Sequence, residues 1–453
     1  MQNKSKLIPL LSALSLSLIP AMTVNAQPIQ SSNNSSIISA YWTDWSEYAT
    51  AVPRPYPMPG SIDNNGNKLD NPDLDLQLAK LNMLYFAFLE SDATGSVMFH
   101  DNWGDLSVND ASFCTANPHI CGGQVPTNGL GNFDAFTQLK SSKNYNGKLL
   151  VSIGGWQHDA TFQNAFNNPS VFVNSIVTLV KQYNLDGVDL DFEPWDQGGT
   201  GWTPTYVSEF LSLVQQLRTA LPNTIITVAA SANPLKIQAF DNPSSLPVSP
   251  HNLQTLAKSV NYIDIMGYDF QGEFSSPKTT DFASNLYVVR NDPFSDPISD
   301  NGAVTTFIND GVSAGQLVLG VPAYGQTVTG VQNTNNGLFQ TFTGAGPGDL
   351  QAGQETYYNI EGQWLGSSGG YNEYTLDNNN SPSGVWAYNS TAQNFVSFDD
   401  TSLIDAKAQY VLNNKLAGMM LFELKDDLSI NDPNNASLLN HIATGLQSNS
   451  AQK

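Results

Sequence analysis

The chain reads as an α/β protein, a (β/α)8 TIM barrel with a small α+β insertion between strands seven and eight. Three observations lead there: eight short apolar runs, amphipathic helical patterns alternating with them, and a length of 453 residues. Runs that are apolar throughout fit parallel strands buried on both faces. Their alternation with segments of helical period is how a parallel α/β sheet appears in sequence. The length suits one large barrel, which commonly takes roughly 250 residues or more. A doubly wound open sheet shares the same period and is the alternative architecture, since periodicity alone does not count strands.

The eight runs are Ile37 to Trp42, Leu84 to Leu89, Lys148 to Ile153, Gly187 to Glu193, Ile225 to Ala230, Tyr262 to Tyr268, Leu317 to Val321 and Gly418 to Leu424. Between the fourth and fifth, Thr203 is placed to cap a helix and Pro204 to start it. Val207, Phe210, Leu211, Val214 and Leu217 then share one face. The same logic predicts helices over Val171 to Tyr183 and Ser402 to Leu412. Residues 90 to 146 form a long, loop-rich connection. The segment 326–384 is rich in Gly, Asn, Thr and Tyr and lacks helical period, so it reads as a subdomain inserted beside the barrel mouth. The barrel itself is expected over 36–325 and 385–445.

Residues 1–26 carry Lys4 and Lys6, an apolar stretch from Leu7 to about Met22, and small residues before Gln27, the pattern of a secretory signal peptide. The apolar core is short and interrupted by Pro20, which disfavours a membrane anchor. A secreted chain with no membrane association in its mature form is expected. Net charge is −22, and loss of Lys4 and Lys6 with no acid takes it to −24. Such acidity disfavours binding to the phosphate backbone of nucleic acid and tolerates a neutral polymer. Cys114 and Cys121, seven apart in an exported chain, predict one disulfide stapling a loop. The five histidines show no metal-ligand spacing; neither a metal nor a cofactor is expected.

The segment Leu185 to Pro194 reads LDGVDLDFEP. Alternate side chains of a strand share a face, so Asp189, Asp191 and Glu193 point one way while Val188, Leu190 and Phe192 point the other. Three carboxyls on one face of a buried strand cost too much to be packing. A calcium or magnesium site is the competing use, but the flanking oxygen ligands of such loops are missing. Glu193 falls at the C-terminal end of the strand, where barrel enzymes carry their catalytic groups.

Through Asp186, Asp189, Asp191 and Glu193 this segment resembles the DxxDxDxE signature of glycoside hydrolase family 18. Ser152 to Gly155 looks like the family's SxGG on strand three, and Met266 to Asp269 like its MxYD on strand six. The runs from Leu317 to Gly325 and from Trp386 to Asp400 resemble the family's chitinases, and 326–384 resembles their insertion domain. The resemblance implies retaining, substrate-assisted hydrolysis of β-1,4 N-acetylglucosamine linkages in chitin and chito-oligosaccharides by a monomer. In that scheme the substrate's acetamido oxygen attacks the anomeric carbon in place of an enzymic nucleophile. Glu193 matches the acid that protonates the leaving oxygen, and crowding by Asp191 and Asp189 favours its protonated form. Asp191 matches the residue that orients the acetamido N–H and stabilises the oxazolinium-like intermediate. Tyr268 matches the phenol that bonds the acetamido oxygen. Asp269, Met266, Phe422, Trp195, Tyr41 and Ser152 are the expected sugar contacts, Ser152 also as a hydrogen-bonding support of the acid row.

Trp42, Trp45, Trp156, Trp195, Trp202 and Trp386 are candidates to stack on pyranose faces, with about half such a list expected to be ordinary packing. The chain departs from the family pattern at three places. Pro194 and Trp195 follow Glu193 where the family has Tyr-Pro, Phe422 stands where strand eight usually ends in tryptophan, and Gln326 where Arg is common. The first two bear on subsites and affinity rather than on the reaction. An endo-β-N-acetylglucosaminidase acting on glycoprotein or mucin glycans would use the same acids. A chitin-binding lectin without catalysis is the other alternative, against which Glu193 stands.

Overall fold

The computed structural model describes residues 36–447 apart from 49–57, 59–70, 107–109, 124–130, 142–144, 157–158, 195–200, 244–250, 289–297 and 366–368. The leader at 1–26 and Trp195 lie outside the described residues. Eight parallel strands form the barrel: β1 (Ile37–Thr43), β2 (Met83–Ser91), β3 (Lys148–Gly154), β4 (Gly187–Asp191), β5 (Ile225–Ser231), β6 (Tyr262–Met266), β7 (Leu317–Pro322) and β8 (Gly418–Phe422). Each pairs with its neighbour in sequence, and β8 pairs with β1, which closes the sheet. Every predicted run is a strand, but β4, β6 and β8 each stop two residues early. Glu193, Tyr268 and Leu424 therefore sit beyond strand ends, in the loops of the C-terminal mouth.

Alternation divides the apolar residues into two cores. Ile38, Ala40, Val188, Leu190, Ile263 and Ile265 face outward into the layer between sheet and helices. Tyr41, Tyr85, Leu150, Tyr262, Val318 and Met420 fill the barrel. The helices start where local chemistry dictates. Thr203 accepts from the Tyr206 N–H at 3.1 Å and Pro204 opens the helix Pro204–Ala220. Pro169 opens Pro169–Gln182, and Asp400 caps Thr401–Asn414 by accepting from the Leu403 N–H at 2.7 Å. A proline at the first helical position spends no N–H, and a short polar cap satisfies one of the orphan donors. In Pro204–Ala220 the buried stripe includes Leu213, while Leu211 is only partly covered. No described helix is long and apolar enough to cross a membrane.

A second, antiparallel sheet follows β7. It runs in the order Gly344–Ala345, Tyr324–Thr329, Asn394–Phe398, Ser381–Asn389, Asn372–Asn378, with Gln354–Thr356 paired to Tyr324–Gln326 on the same edge as Gly344–Ala345. It therefore extends past both bounds of the expected 326–384. The apolar run Val385 to Tyr388 resembles a barrel strand in sequence, yet it packs with Phe282, Val328 and Phe395 in the second sheet's own core. Cys114 and Cys121 are bonded to each other in the connection after β2.

Candidate active site

The acid row lines the barrel interior. Asp189 is fully buried, and register brings its partners to it: Ser152 of β3 and Thr227 of β5 are its neighbours in adjacent strands. Ser152 Oγ donates to Asp189 Oδ2 at 2.6 Å, Tyr41 Oη to the same oxygen at 2.8 Å, and Thr227 Oγ1 to Oδ1 at 2.6 Å. Burial pushes Asp189 above the usual carboxylate range, and these three hydroxyls work against that shift. Asp189 is thus equipped to be the charged member of the row.

Asp191, one turn of the pleat higher, has no such set. Its Oδ1 is buried without a partner, and its carboxyl is pushed well up by burial, then by Glu193, Asp189 and Asp264. A carboxyl in that position holds a proton. Gly154 faces Asp191 across the β3–β4 register with φ of 111°, and a Cβ there would lie 2.2 Å from the Asp191 carbonyl oxygen. The Gly155 N–H donates to that same carbonyl at 2.9 Å. The two glycines are what let β3 turn away over the end of β4. Glu193 lies two residues past Asp191, beyond the end of β4, partly exposed at the mouth and near enough to help raise the Asp191 carboxyl.

Opposite the row, Tyr268 and Asp269 leave β6. Asp269 adopts φ of 57° and accepts from Tyr324 Oη at 2.8 Å and Gln326 Nε2 at 2.7 Å. Gln326 is thus a neutral donor to Asp269. Phe422 closes β8 with its ring 5.4 Å from Tyr41 and 6.0 Å from Tyr268, centroid to centroid, and is partly exposed. Met266, also partly exposed, ends β6. Trp45 and Trp156 are 41% and 56% exposed, Trp45 with its ring 5.9 Å from Phe88, centroid to centroid. Trp45 Nε1 donates to buried Glu423 at 3.3 Å, and Thr43 and Ser46 donate to the same carboxylate.

Several expectations change. Tyr41, 2% exposed with its hydroxyl committed to Asp189, braces the acid row in place of a sugar contact, and Ser152, 0% exposed, gives the same acid the support expected of it. Trp42 is buried in the barrel wall, and Trp386 lies in the second core with Nε1 donating to Asn336 O at 3.0 Å. Trp202 packs against Phe240 in the helix layer. Asp186, first acid of the signature, sits at the opposite end of β4. There the Leu149 N–H, Lys140 and Lys148 outweigh its partial burial and hold it below the usual carboxylate range. Thr227, Tyr85, Asp264, Tyr324 and Glu423 were not singled out by sequence reasoning. Of these Asp264 carried a local signal, two residues before Met266 on the same strand face, and Tyr324 fell within the run Leu317 to Gly325 without being singled out.

Comparison with known proteins agrees with this geometry. Chitinase A1 of Niallia circulans is 30% identical over 350 residues, which cover 74% of this chain and 46% of that protein. Endochitinase 1 of Metarhizium anisopliae is 28% identical over 364 residues, 78% of this chain and 77% of the relative. The chain therefore spans less than half of one and about three quarters of the other. The crystal structure of Ostrinia furnacalis Group II chitinase catalytic domain 2 has the same fold, with a TM-score of 0.68 at 24% identity over 91% of this chain and 96% of that one. The family described as glycosyl hydrolases family 18 matches residues 37–427, from the first residue of β1 to just past β8. A match of that extent, with the acid row at its centre, means that this chain belongs to glycosyl hydrolases family 18.

Proposed function

We propose that the chain is a secreted, monomeric chitinase that cleaves β-1,4 N-acetylglucosamine linkages in chitin and chito-oligosaccharides with retention of configuration. The observation that carries this reading is the contrast within the acid row. Asp189 has three hydroxyl donors, while Asp191, on the same face and one pleat nearer the mouth, has a buried oxygen with none. The lower acid is built to be an anion and the upper one to hold a proton until substrate arrives.

In this reading Glu193 gives its proton to the glycosidic oxygen as the bond from that oxygen to the anomeric carbon breaks. The acetamido oxygen of the same sugar bonds to the anomeric carbon from the opposite face and forms an oxazolinium ring. Asp191 accepts the acetamido N–H and, ionising as positive charge develops, balances it, with Asp189 beside it to take up the proton. Tyr268 donates to the acetamido oxygen and keeps it aligned for attack. Water then adds to the anomeric carbon, its proton passing to the Glu193 carboxylate, and the ring opens to the β-anomer. Phe422 forms the floor beneath the reacting sugar, and Trp45 and Trp156 offer faces for neighbouring units.

The test is the stereochemistry of the first product, followed by NMR on N-acetylglucosamine oligomers beside fully deacetylated chitosan. The β-anomer must appear first and chitosan must be inert. An early α-anomer would mean that a water-activating carboxylate pair has replaced the acetamido group.

A further inference from the structure

Asp264, on the inward face of β6, is a fully buried acid that the reaction above does not use. Its Oδ2 lies 2.9 Å from Tyr85 Oη of β2, and its Oδ1 has no partner. Tyr85 lies flat against Tyr41, with ring centroids 4.5 Å apart and planes within 15°. Thr227 of β5 donates to Asp189 and lies close enough to Asp264 and Tyr85 to act on both. The groups that face Asp264 are Tyr41 from β1, Tyr85 from β2, Asp189 and Asp191 from β4, Thr227 from β5, and Tyr268 beyond its own strand. Across the β6–β7 register stands apolar Val318. None of these is a cation.

Two neighbouring carboxyls in such an interior do not both ionise, and the charge settles on the one with more donors. Asp189 receives three hydroxyl protons, that of Thr227 among them, and Asp264 has only Tyr85 within hydrogen-bond distance. An ionised Asp264 would also strand a carboxylate oxygen at Oδ1, whereas a neutral acid leaves only a weaker carbonyl there. Burial and the charge of Asp189 act in the same direction, raising Asp264 well above the usual carboxylate range. With its proton on Oδ2, Asp264 becomes a donor to Tyr85 Oη. The phenol proton is then free to turn to Thr227, whose own proton is already on Asp189 Oδ1.

We propose that Asp264 is a positioning residue for the hydrolysis inferred above: a neutral acid whose proton starts a one-way chain, Asp264 to Tyr85 to Thr227 to Asp189, that fixes the interior negative charge on Asp189. This inference rests on that functional reading for its role, though not for the location of the proton. Each donor in the chain polarises the next. An anionic Asp189 is in turn what favours the resting proton on Asp191 and offers it a destination.

The experiment is the pH profile of kcat/KM on soluble N-acetylglucosamine oligomers, with infrared spectra of the same full-length proteins. Asp264→Val removes the first donor, so Asp189 binds its proton more readily and the acid limb moves up by about 0.5–1 pH unit. Tyr85→Phe breaks the chain at its second member and should move the limb the same way, which keeps the test alive should the valine variant fail to fold. Asp264→Asn stays neutral and can still donate, so its limb stays within about 0.3 pH unit of wild type. In the infrared, wild type at about pH 6 shows a protonated-carboxyl band that Asp264→Asn lacks. A downward limb in Asp264→Asn, an unmoved limb in Tyr85→Phe, or an unchanged band would each overturn the proposal. Absence of turnover by wild type would instead defeat the functional reading, and the band would still decide where the proton lies.

Discussion

Lys407 is buried with 0% side-chain exposure beside two equally buried acids, Asp399 at 2.7 Å and Asp300 at 3.1 Å. It also donates to Ser284 O at 2.9 Å and to Ser284 Oγ at 2.6 Å, and Ser284 Oγ donates onward to Gly267 O at 2.7 Å. Asp300 Oδ1 lies 2.5 Å from where a Cβ on Gly267 would be, so this ionic hub presses directly on the segment that carries Tyr268. Lys407→Met keeps the volume and removes the charge. Burial already raises Asp300 to about 7 and Asp399 to about 6 against the pull of Lys407. Folded values above unfolded ones mean that their contribution is fully present below about pH 4 and is lost as pH rises through about 6 to 7. At pH 8 both acids are ionised, and removing their cation should cost on the order of 3–5 kcal/mol. At pH 5 both are largely protonated, and the loss should fall to about 1 kcal/mol, that of the bonds to Ser284. Urea unfolding followed by tryptophan fluorescence at the two pH values measures the difference. An equal loss at both would refute the electrostatic reasoning and leave Lys407 as packing.

Phe422→Ala should lower kcat/KM by about tenfold or more, because a floor that positions the distorted sugar acts on the transition state. Loss of its contacts with Tyr41, Tyr268 and Tyr324 should cost about 2–3 kcal/mol of stability, less than for a fully buried ring. Destabilisation with normal activity per folded molecule, measured by thermal denaturation beside oligomer kinetics, would show that the sugar rests elsewhere. Gly154→Ala should cost both stability and turnover, since its Cβ would meet Asp191 O at 2.2 Å at a φ of 111°. A crystal structure of that variant with β4 unmoved and activity intact would contradict the role given to this glycine.

The acid row was legible because strand alternation is local: Asp189, Asp191 and Glu193 declare their common face within five residues. Its supports were not. Thr227 meets Asp189 through the β4–β5 register and Tyr85 meets Asp264 across the barrel, and no stretch of sequence encodes either contact. Ser152 stands as the hydrogen-bonding support the sequence suggested, whereas Tyr41 was found but read as a sugar contact, since a hydroxyl near a signature acid looks alike whether it faces ligand or carboxylate. The strand ends were overrun because Phe192, Tyr268 and Leu424 continue the apolar pattern into the mouth loops. The second sheet was cut short at 384 for a related reason: Val385 to Tyr388 is as apolar as a barrel strand, and only its antiparallel pairing with Asn394–Phe398 shows where it belongs. Three of the aromatic candidates went inward, which follows from a fold large enough to bury tryptophan.

The central claim is that Glu193 supplies the proton to the leaving oxygen, and Glu193→Gln tests it most directly. Glutamine keeps the shape and the capacity to bind but has no acid proton, so binding of an N-acetylglucosamine oligomer by calorimetry should stay within about tenfold while kcat falls by about three orders of magnitude or more. Turnover within about tenfold of wild type, in a variant that binds and folds normally, would contradict the account and move the acid to another residue.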